Sequence, residues 1–324
     1  MTPHTPRWPR MAGVAILLGL ALALPASGIF DKYGMYLLTL VVIYAIAATG
    51  LTLFMGYAGQ LSLGQAAFYG LGAYAAADLT KAGYPFLLAL LAAVAITGGL
   101  GGLIGVVVLR LRGFYLAVVT LALGLIAFQL FKNLDEVTGG VSGLGRIPMP
   151  SLVGWALATP TLYYYFTLAV LLIVLALSAQ LVGSPTGRAM RAIAANELAA
   201  QSVGVNAHAI KTAIFALAAG YAGLAGGIYA HLARFITPDD FSLVLSIQIL
   251  TMAIVGGISS VLGGMVGAVV VTMAVEQLRA WPEMQPLLYG AVLVLLVRFM
   301  PAGVMGAMSA ILARRRPPPH TQGP

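Results

Sequence analysis

The chain runs to 324 residues, 60% of them hydrophobic and only 8% charged, with 17 Lys and Arg against 9 Asp and Glu. Soluble domains carry roughly 25% charged residues and disordered chains are poor in apolar side chains, so both classes are excluded. The composition describes an all-α, polytopic integral membrane protein, with 39 Gly available for close helix packing in lipid and no Cys for disulfide or thiolate chemistry.

A spanning helix needs about 20 apolar residues. In chain order, apolar runs bounded by charges or turn residues predict about ten spans, at 11–27, 35–55, 61–77, 84–109, 114–131, 162–182, 212–232, 242–255, 263–278 and 287–300. The last three are short, and some are expected to be broken or tilted. A polar, Gly-rich connection follows the fifth span, and a long amphiphilic segment, 183–211, follows the sixth. The chain therefore reads as a single membrane domain, 1–324, with the ends 1–10 and 313–324 in the cytoplasm. Threading the spans from a cytoplasmic N-terminus puts 11 Lys and Arg inside and 6 outside, the distribution that insertion favours, with Glu197 the only acid inside. Arg7 and Arg10 before the first run, and Pro25-Ala26-Ser27 after it, also have the form of a cleavable signal, but an uncleaved targeting span is the preferred reading. The net charge of +8 lies scattered at the ends of apolar runs rather than along a stripe, so it marks topology and not nucleic-acid binding. The Arg-rich tail at 314–316 is expected to touch anionic lipid.

Several chemistries are missing. No Gly-x4-Gly-Lys-Ser/Thr loop occurs, and the Gly-rich runs at 98–102 and 139–145 follow no strand. His4, His208, His231 and His320 make no metal spacing, and no nucleophile finds a base. The expectation is a protein that is not an enzyme and holds no metal. Carboxylates such as Asp78, Asp135, Glu136 and Glu276 sit at helix ends or in loops, so a mid-membrane proton relay has no residues to run on.

Within 183–211, the residues from Pro185 suit a short amphipathic helix, with Ala189, Ile193, Leu198 and Ala199 on one face and Arg188, Arg191, Asn196 and Glu197 on another, ended by Gly204. Composition alone allows it to dock into a groove on a soluble partner or to lie on the membrane. The stretch Gly187-Arg188-Ala189-Met190-Arg191-Ala192-Ile193, with Asn196-Glu197-Leu198-Ala199-Ala200 and Gly204-Val205-Asn206, resembles the cytoplasmic coupling loop of ABC-importer permeases, most of all the branched-chain amino acid permeases of the LivM type. Their signature is Glu-Ala-Ala, three residues, then Gly. Here Ala199, Ala200 and Gly204 match, Leu198 takes the Glu slot, and the acid is displaced to Glu197. Residues 50–68, containing Gly56-Tyr57-Ala58-Gly59-Gln60-Leu61-Ser62-Leu63-Gly64-Gln65, and residues 255–268, containing Val255-Gly256-Gly257-Ile258-Ser259-Ser260, resemble the family's two other signatures. The matches span roughly 35–300.

The two Gly-rich signatures also resemble each other. Leu51-Thr52 followed by Leu61-Ser62-Leu63-Gly64 recurs as Leu250-Thr251 followed by Ser259-Ser260-Val261-Leu262-Gly263, about 199 positions on, either as a weak repeat or by chance. Such Gly either pack helices closely, as at Gly223/Gly227 and Gly263/Gly267, or break them where a cavity is lined. Gln60, Ser62, Gln65, Gln248, Ser259 and Ser260 are the candidate pathway residues. For Gln65 and Gln248, interhelical bonding is an equal alternative.

The resemblance implies an ABC-importer permease fold and a permease subunit that moves branched-chain or other small aliphatic amino acids inward. Its implied partners are a second related permease, two cytoplasmic ATPase subunits and a periplasmic solute-binding protein. ATP would be bound by those partners, leaving this chain without a cofactor, and the site would be the bacterial plasma (inner) membrane. Urea or short amides are the alternative cargo, and a gradient-driven carrier or channel the alternative class. A pathway without buried charge is consistent with a small zwitterion handled by Gln, Ser and helix ends.

Overall fold

The computed structural model describes residues 30–278 apart from 112, 153, 154 and 158, together with 25, 290 and 303–306. The expected first and tenth spans, 11–27 and 287–300, and the two cytoplasmic ends fall outside the described residues but for positions 25 and 290.

Ten labelled helices carry the described architecture. Helix α1, Lys32–Thr52, starts at Asp31, whose carboxylate accepts from the Gly34 N–H at 2.8 Å, and it widens into a π turn over Leu53–Tyr57. There follow α2 (Gln65–Lys81), α3 (Phe86–Val108), α4 (Phe114–Asn133) and α5 (Pro160–Gly183). Two short helices, α6 (Pro185–Ala195) and α7 (Glu197–Ser202), precede α8 (Ala207–Ala233), α9 (Leu243–Gly256) and α10 (Gly263–Leu278). Between α4 and α5 a small antiparallel hairpin pairs β1 (Ser151–Leu152) with β2 (Trp155–Ala156).

Among the described residues, six segments are long and apolar enough to cross a membrane: Lys32–Tyr57, Phe86–Val108, Phe114–Asn133, Pro160–Gly183, Ala207–Ala233 and Pro238–Gly256, with Gly263–Leu278 shorter. They fall on expected spans two and four to nine. The third run also becomes a helix, α2, but it begins at Gln65 rather than at 61. Gly59 takes φ +67°, and the Leu63 N–H is held by Thr120 Oγ1 at 3.0 Å. Side chains thus satisfy backbone that a helix would otherwise have to pair.

Helix α8 is the centre of the bundle and packs against α1, α2 and α3. Small residues allow the approach: a methyl group on Gly226 would overlap the Tyr69 carbonyl, and one on Gly72 would overlap the backbone of Gly223. Close packing of this kind drives helix association in lipid, where no hydrophobic difference between helix and solvent remains. The periphery turns large apolar side chains outward, with Leu91 of α3, Ile126 of α4 and Ile173 of α5 each about 60% exposed, as lipid contact requires.

Contacts define two ends. At the hairpin end, the Tyr33 hydroxyl meets Glu276 Oε1 at 2.5 Å, Lys132 pairs Asp239 at 3.0 Å, and Leu144 bridges Ile236. The opposite, elbow end gathers the π turn, residues 58–64, α6, α7 and the turn after α9. There the Tyr57 hydroxyl donates to the Ser259 carbonyl at 3.1 Å. Acids are uneven: Asp31, Asp78, Asp135, Glu136, Asp239, Asp240 and Glu276 lie toward the hairpin end beside Lys32, Lys81, Lys132, Arg146 and Arg234, whereas the elbow end has Arg110, Arg188, Arg191 and Lys211 against Glu197 alone.

Candidate functional site: the elbow, the helix break and the hairpin-end cavity

The elbow is a sequence of caps. Ser184 accepts from the Gly187 N–H with Pro185 in the first turn, which starts α6. Asn196 then ends α6 in an extended conformation and caps α7 by accepting from the Ala199 N–H at 3.1 Å. Gly204, at φ +88°, turns the chain, and Asn206 caps α8 through the Ala209 N–H at 3.0 Å. The single expected helix is therefore two, because Asn196 is a better cap than helix interior.

Its inner face is a small core of Ile193, Ala200 and Ala207. A buried ion pair, Lys211 Nζ to Glu197 Oε1 at 2.8 Å, braces α7 against α8. Arg191 donates to the Val182 carbonyl at 3.0 Å and ties α6 to α5. The outer face carries Arg188, Ala199 and Gly204 and two large apolar residues, Leu198 at 66% and Val203 at 78% exposure. Of the expected coupling residues, Arg188, Arg191, Leu198, Ala199 and Gly204 are exposed, Glu197 is partly covered and Ala200 is buried.

The elbow leans on the break between α1 and α2: a methyl group on Gly59 would stand 3.1 Å from Ala194 Cα. The break holds three expected pathway residues. Gln60 is 9% exposed, and Ser62 and Gln65 are fully buried. Gln60 Oε1 and both polar atoms of the Gln65 amide have no protein partner among the described residues, an expensive arrangement that marks a polar cavity or a functional site. Ser62 is committed locally, accepting from the Gly64 N–H. Ser246 Oγ of α9 accepts from the Ala66 N–H at 2.9 Å, capping α2 from across the bundle. Ser259 and Ser260 lie in the turn after α9, with Ser259 exposed beside Tyr57.

Gln248 is not with them. It lines a cavity of about 180 Å³ that reaches inward from the hairpin end, with Tyr44 of α1, Tyr69 of α2, Tyr229 of α8 and the carboxylates Asp239 and Asp240. Tyr69 follows Gln65 by one helical turn, so the floor of this cavity and the unpartnered amide of the break lie on neighbouring turns of α2. Sequence reasoning did not single out Asp240, Tyr44, Tyr69 or Tyr229. The Pro238-Asp239-Asp240 run was visible, but only the fold swings it over three tyrosines from separate helices. No group of three His, Asp or Glu that could hold a metal occurs among the described residues.

Similarity to known proteins follows these features. The high-affinity branched-chain amino acid transport system permease protein LivM of Salmonella typhimurium is 33% identical over 291 residues, covering 82% of this chain and 68% of the relative. LivM of Escherichia coli is equally similar. The permease protein LivH of Escherichia coli is 23% identical over 294 residues, covering 81% of this chain and 91% of the relative. No solved structure gives a match. Residues 34–297 match the family described as branched-chain amino acid transport system, permease component, and with that span and the LivM identity the chain, a multi-pass membrane protein, belongs to this family of transport permeases.

Proposed function

We propose that the chain is the membrane-spanning permease subunit of an ABC importer that moves branched-chain or other small aliphatic amino acids into the cytoplasm across the bacterial plasma membrane. The observation that carries this reading is the contact between the elbow and the break, Ala194 against Gly59, because it joins an exposed docking surface directly to the buried Gln60 and Gln65. The elbow end faces the cytoplasm and the hairpin end the periplasm, in keeping with the chain-wide split of 11 Lys and Arg inside against 6 outside. Both termini are cytoplasmic, and residues 183–211 are the coupling loop of a single permease domain, 1–324.

Leu198 and Val203 supply an apolar ridge, rimmed by Arg188, that fits a groove on a cytoplasmic ATPase subunit. The full assembly has a second related permease, two ATPase subunits and a periplasmic solute-binding protein. ATP is bound by the ATPases, and this chain performs no catalysis and carries no cofactor. Closure of the ATPase pair moves the elbow, α6 pushes on residues 58–64, and the break shifts between outward and inward openings. Buried Gln60 and Gln65 give a passing zwitterion hydrogen bonds without a fixed charge deep in the bundle.

Reconstitution tests the reading. Liposomes holding the chain with its second permease, ATPases and binding protein should take up leucine only with ATP, and the chain alone should take up none. Leucine movement down its gradient through the chain alone would overturn it.

A further inference from the structure

The cavity at the hairpin end has a chemistry that the break lacks. Its wall includes Tyr44, twelve residues into α1, which places it roughly 18 Å along the helix and about halfway through a 30 Å hydrocarbon layer. A volume of about 180 Å³ is small for a ligand pocket and suits a solute of few heavy atoms.

Two carboxylates reach it, with different partners. Asp239 pairs with Lys132 at 3.0 Å. Asp240 Oδ2 accepts from the Thr237 N–H at 2.7 Å and from the Thr237 hydroxyl at 3.1 Å, and no cation among the described residues pairs with it. A carboxylate held by a cap, next to aromatic faces and without a counter-ion, attracts a cation. Tyr69 points to a ligand independently: it is 1% exposed, lines the cavity, and its hydroxyl has no partner among the described residues. Gln248, from α9, brings a side-chain amide to the same lining. The larger cavity of about 230 Å³ near the start of α5 has the opposite character, with Lys32 and Arg234 in its lining and no carboxylate.

We propose that this cavity is the outer reception site for a primary ammonium group, with Asp240 as counter-ion, the faces of Tyr44 and Tyr229 as walls, and the Tyr69 hydroxyl and Gln248 amide as partners for the cargo's carboxylate. The proposal rests on the importer reading and sharpens it, because an α-amino acid has the ammonium this site selects, whereas urea and neutral amides do not. A solute released by the binding protein meets Asp240 first and then Tyr69, one turn of α2 from Gln65.

The test uses the reconstituted full importer. Asp240→Asn keeps an acceptor for the Thr237 cap and removes the charge. It should lower leucine uptake per ATP hydrolysed by about tenfold or more, the size expected for losing a charged hydrogen bond, while binding-protein-stimulated hydrolysis persists. Tyr69→Phe should give a smaller loss in the same ratio. Because the chain has no Cys, Val244→Cys at the cavity rim, 68% exposed, gives a single reporter on this subunit. Leucine, but not 4-methylpentanoate, should slow its labelling by a membrane-impermeant thiol reagent. Unchanged uptake per ATP in Asp240→Asn, or labelling indifferent to leucine, overturns the site while leaving the importer intact. Absence of ATP-driven uptake by the wild-type assembly overturns the importer reading and the site with it.

Discussion

Lys211 is 1% exposed, yet its ammonium lies 2.8 Å from Glu197 Oε1, and this pair accounts for the acid that stands one position before its expected slot. Leu198, in that slot, projects outward, so the Glu at 197 faces α8 instead. Breaking a buried pair strands a charge and costs on the order of 3 to 5 kcal/mol, whereas replacing both partners with apolar groups costs far less. Glu197→Gln should therefore lower the unfolding midpoint of the detergent-solubilised protein and weaken ATPase stimulation, and adding Lys211→Met should restore much of the midpoint. Additive losses in that double-mutant cycle would remove the brace. Gly204 poses a separate question, since a side chain there would meet nothing within 4 Å but would have to adopt φ +88°. Gly204→Ala should cost about 1 to 2 kcal/mol through strain alone, measurable by thermal unfolding, and Gly204→Asn should cost less. The need for a turn at Gly204 was legible in the sequence. The ion pair was not, because fourteen residues separate its members and only the turn at 203–206 brings them together.

Helices α1 and α9 both run toward the elbow end, both carry Leu-Thr near their ends, and both reverse through a Gly-rich break into α2 and α10. Each threonine bonds back within its helix, Thr52 to the Ala48 carbonyl and Thr251 to the Ile247 carbonyl, both at 2.8 Å. The recurrence about 199 positions apart therefore has a structural counterpart in two helix-break-helix segments, although α9 packs along α10 whereas α1 and α2 scarcely touch, and the breaks meet through Tyr57 and Ser259. Gly56 lies at that contact, where a methyl group would overlap the Ile258 carbonyl, while Gly99 on α3 faces open space. Gly56→Ala should destabilise by about 1 to 3 kcal/mol and depress uptake, as overpacking does. Gly99→Ala should leave both unchanged or gain up to about 1 kcal/mol, since Ala is the better helix former. Equal unfolding midpoints for the two variants would deny that the breaks pack tightly. The second to ninth spans were readable from apolar run length, which the described fold respects. The start of α2 was not, because Leu63 is held by a threonine on another helix.

Across the whole molecule, the uneven charge of the two ends and the exposed ridge on the elbow make one claim about direction: the energy source lies on the side of Leu198 and Val203, and the cargo enters on the side of Asp240. That direction is drawn from the sequence's split of 11 Lys and Arg against 6, because insertion reads local Lys and Arg and needs no tertiary contact. It could not carry the location of the cavity at the hairpin end, which is assembled from α1, α2, α8 and α9. The claim is checked in intact cells with single cysteines in a chain that has none of its own. Val203→Cys, 78% exposed on the elbow, should resist an impermeant thiol reagent added outside and react once the membrane is opened. Val141→Cys, 71% exposed at the hairpin end, should react from outside without permeabilisation. Leu198→Asp joins sidedness to function, because a 66% exposed position tolerates a carboxylate without disturbing the fold, so unfolding should be unaffected. A groove that accepts an apolar ridge would instead have to bury an unpaired charge, and binding-protein-stimulated ATP hydrolysis should fall at least about tenfold. Full hydrolysis in Leu198→Asp, or external labelling at 203, would place the docking surface elsewhere and separate the elbow from the movement of residues 58–64.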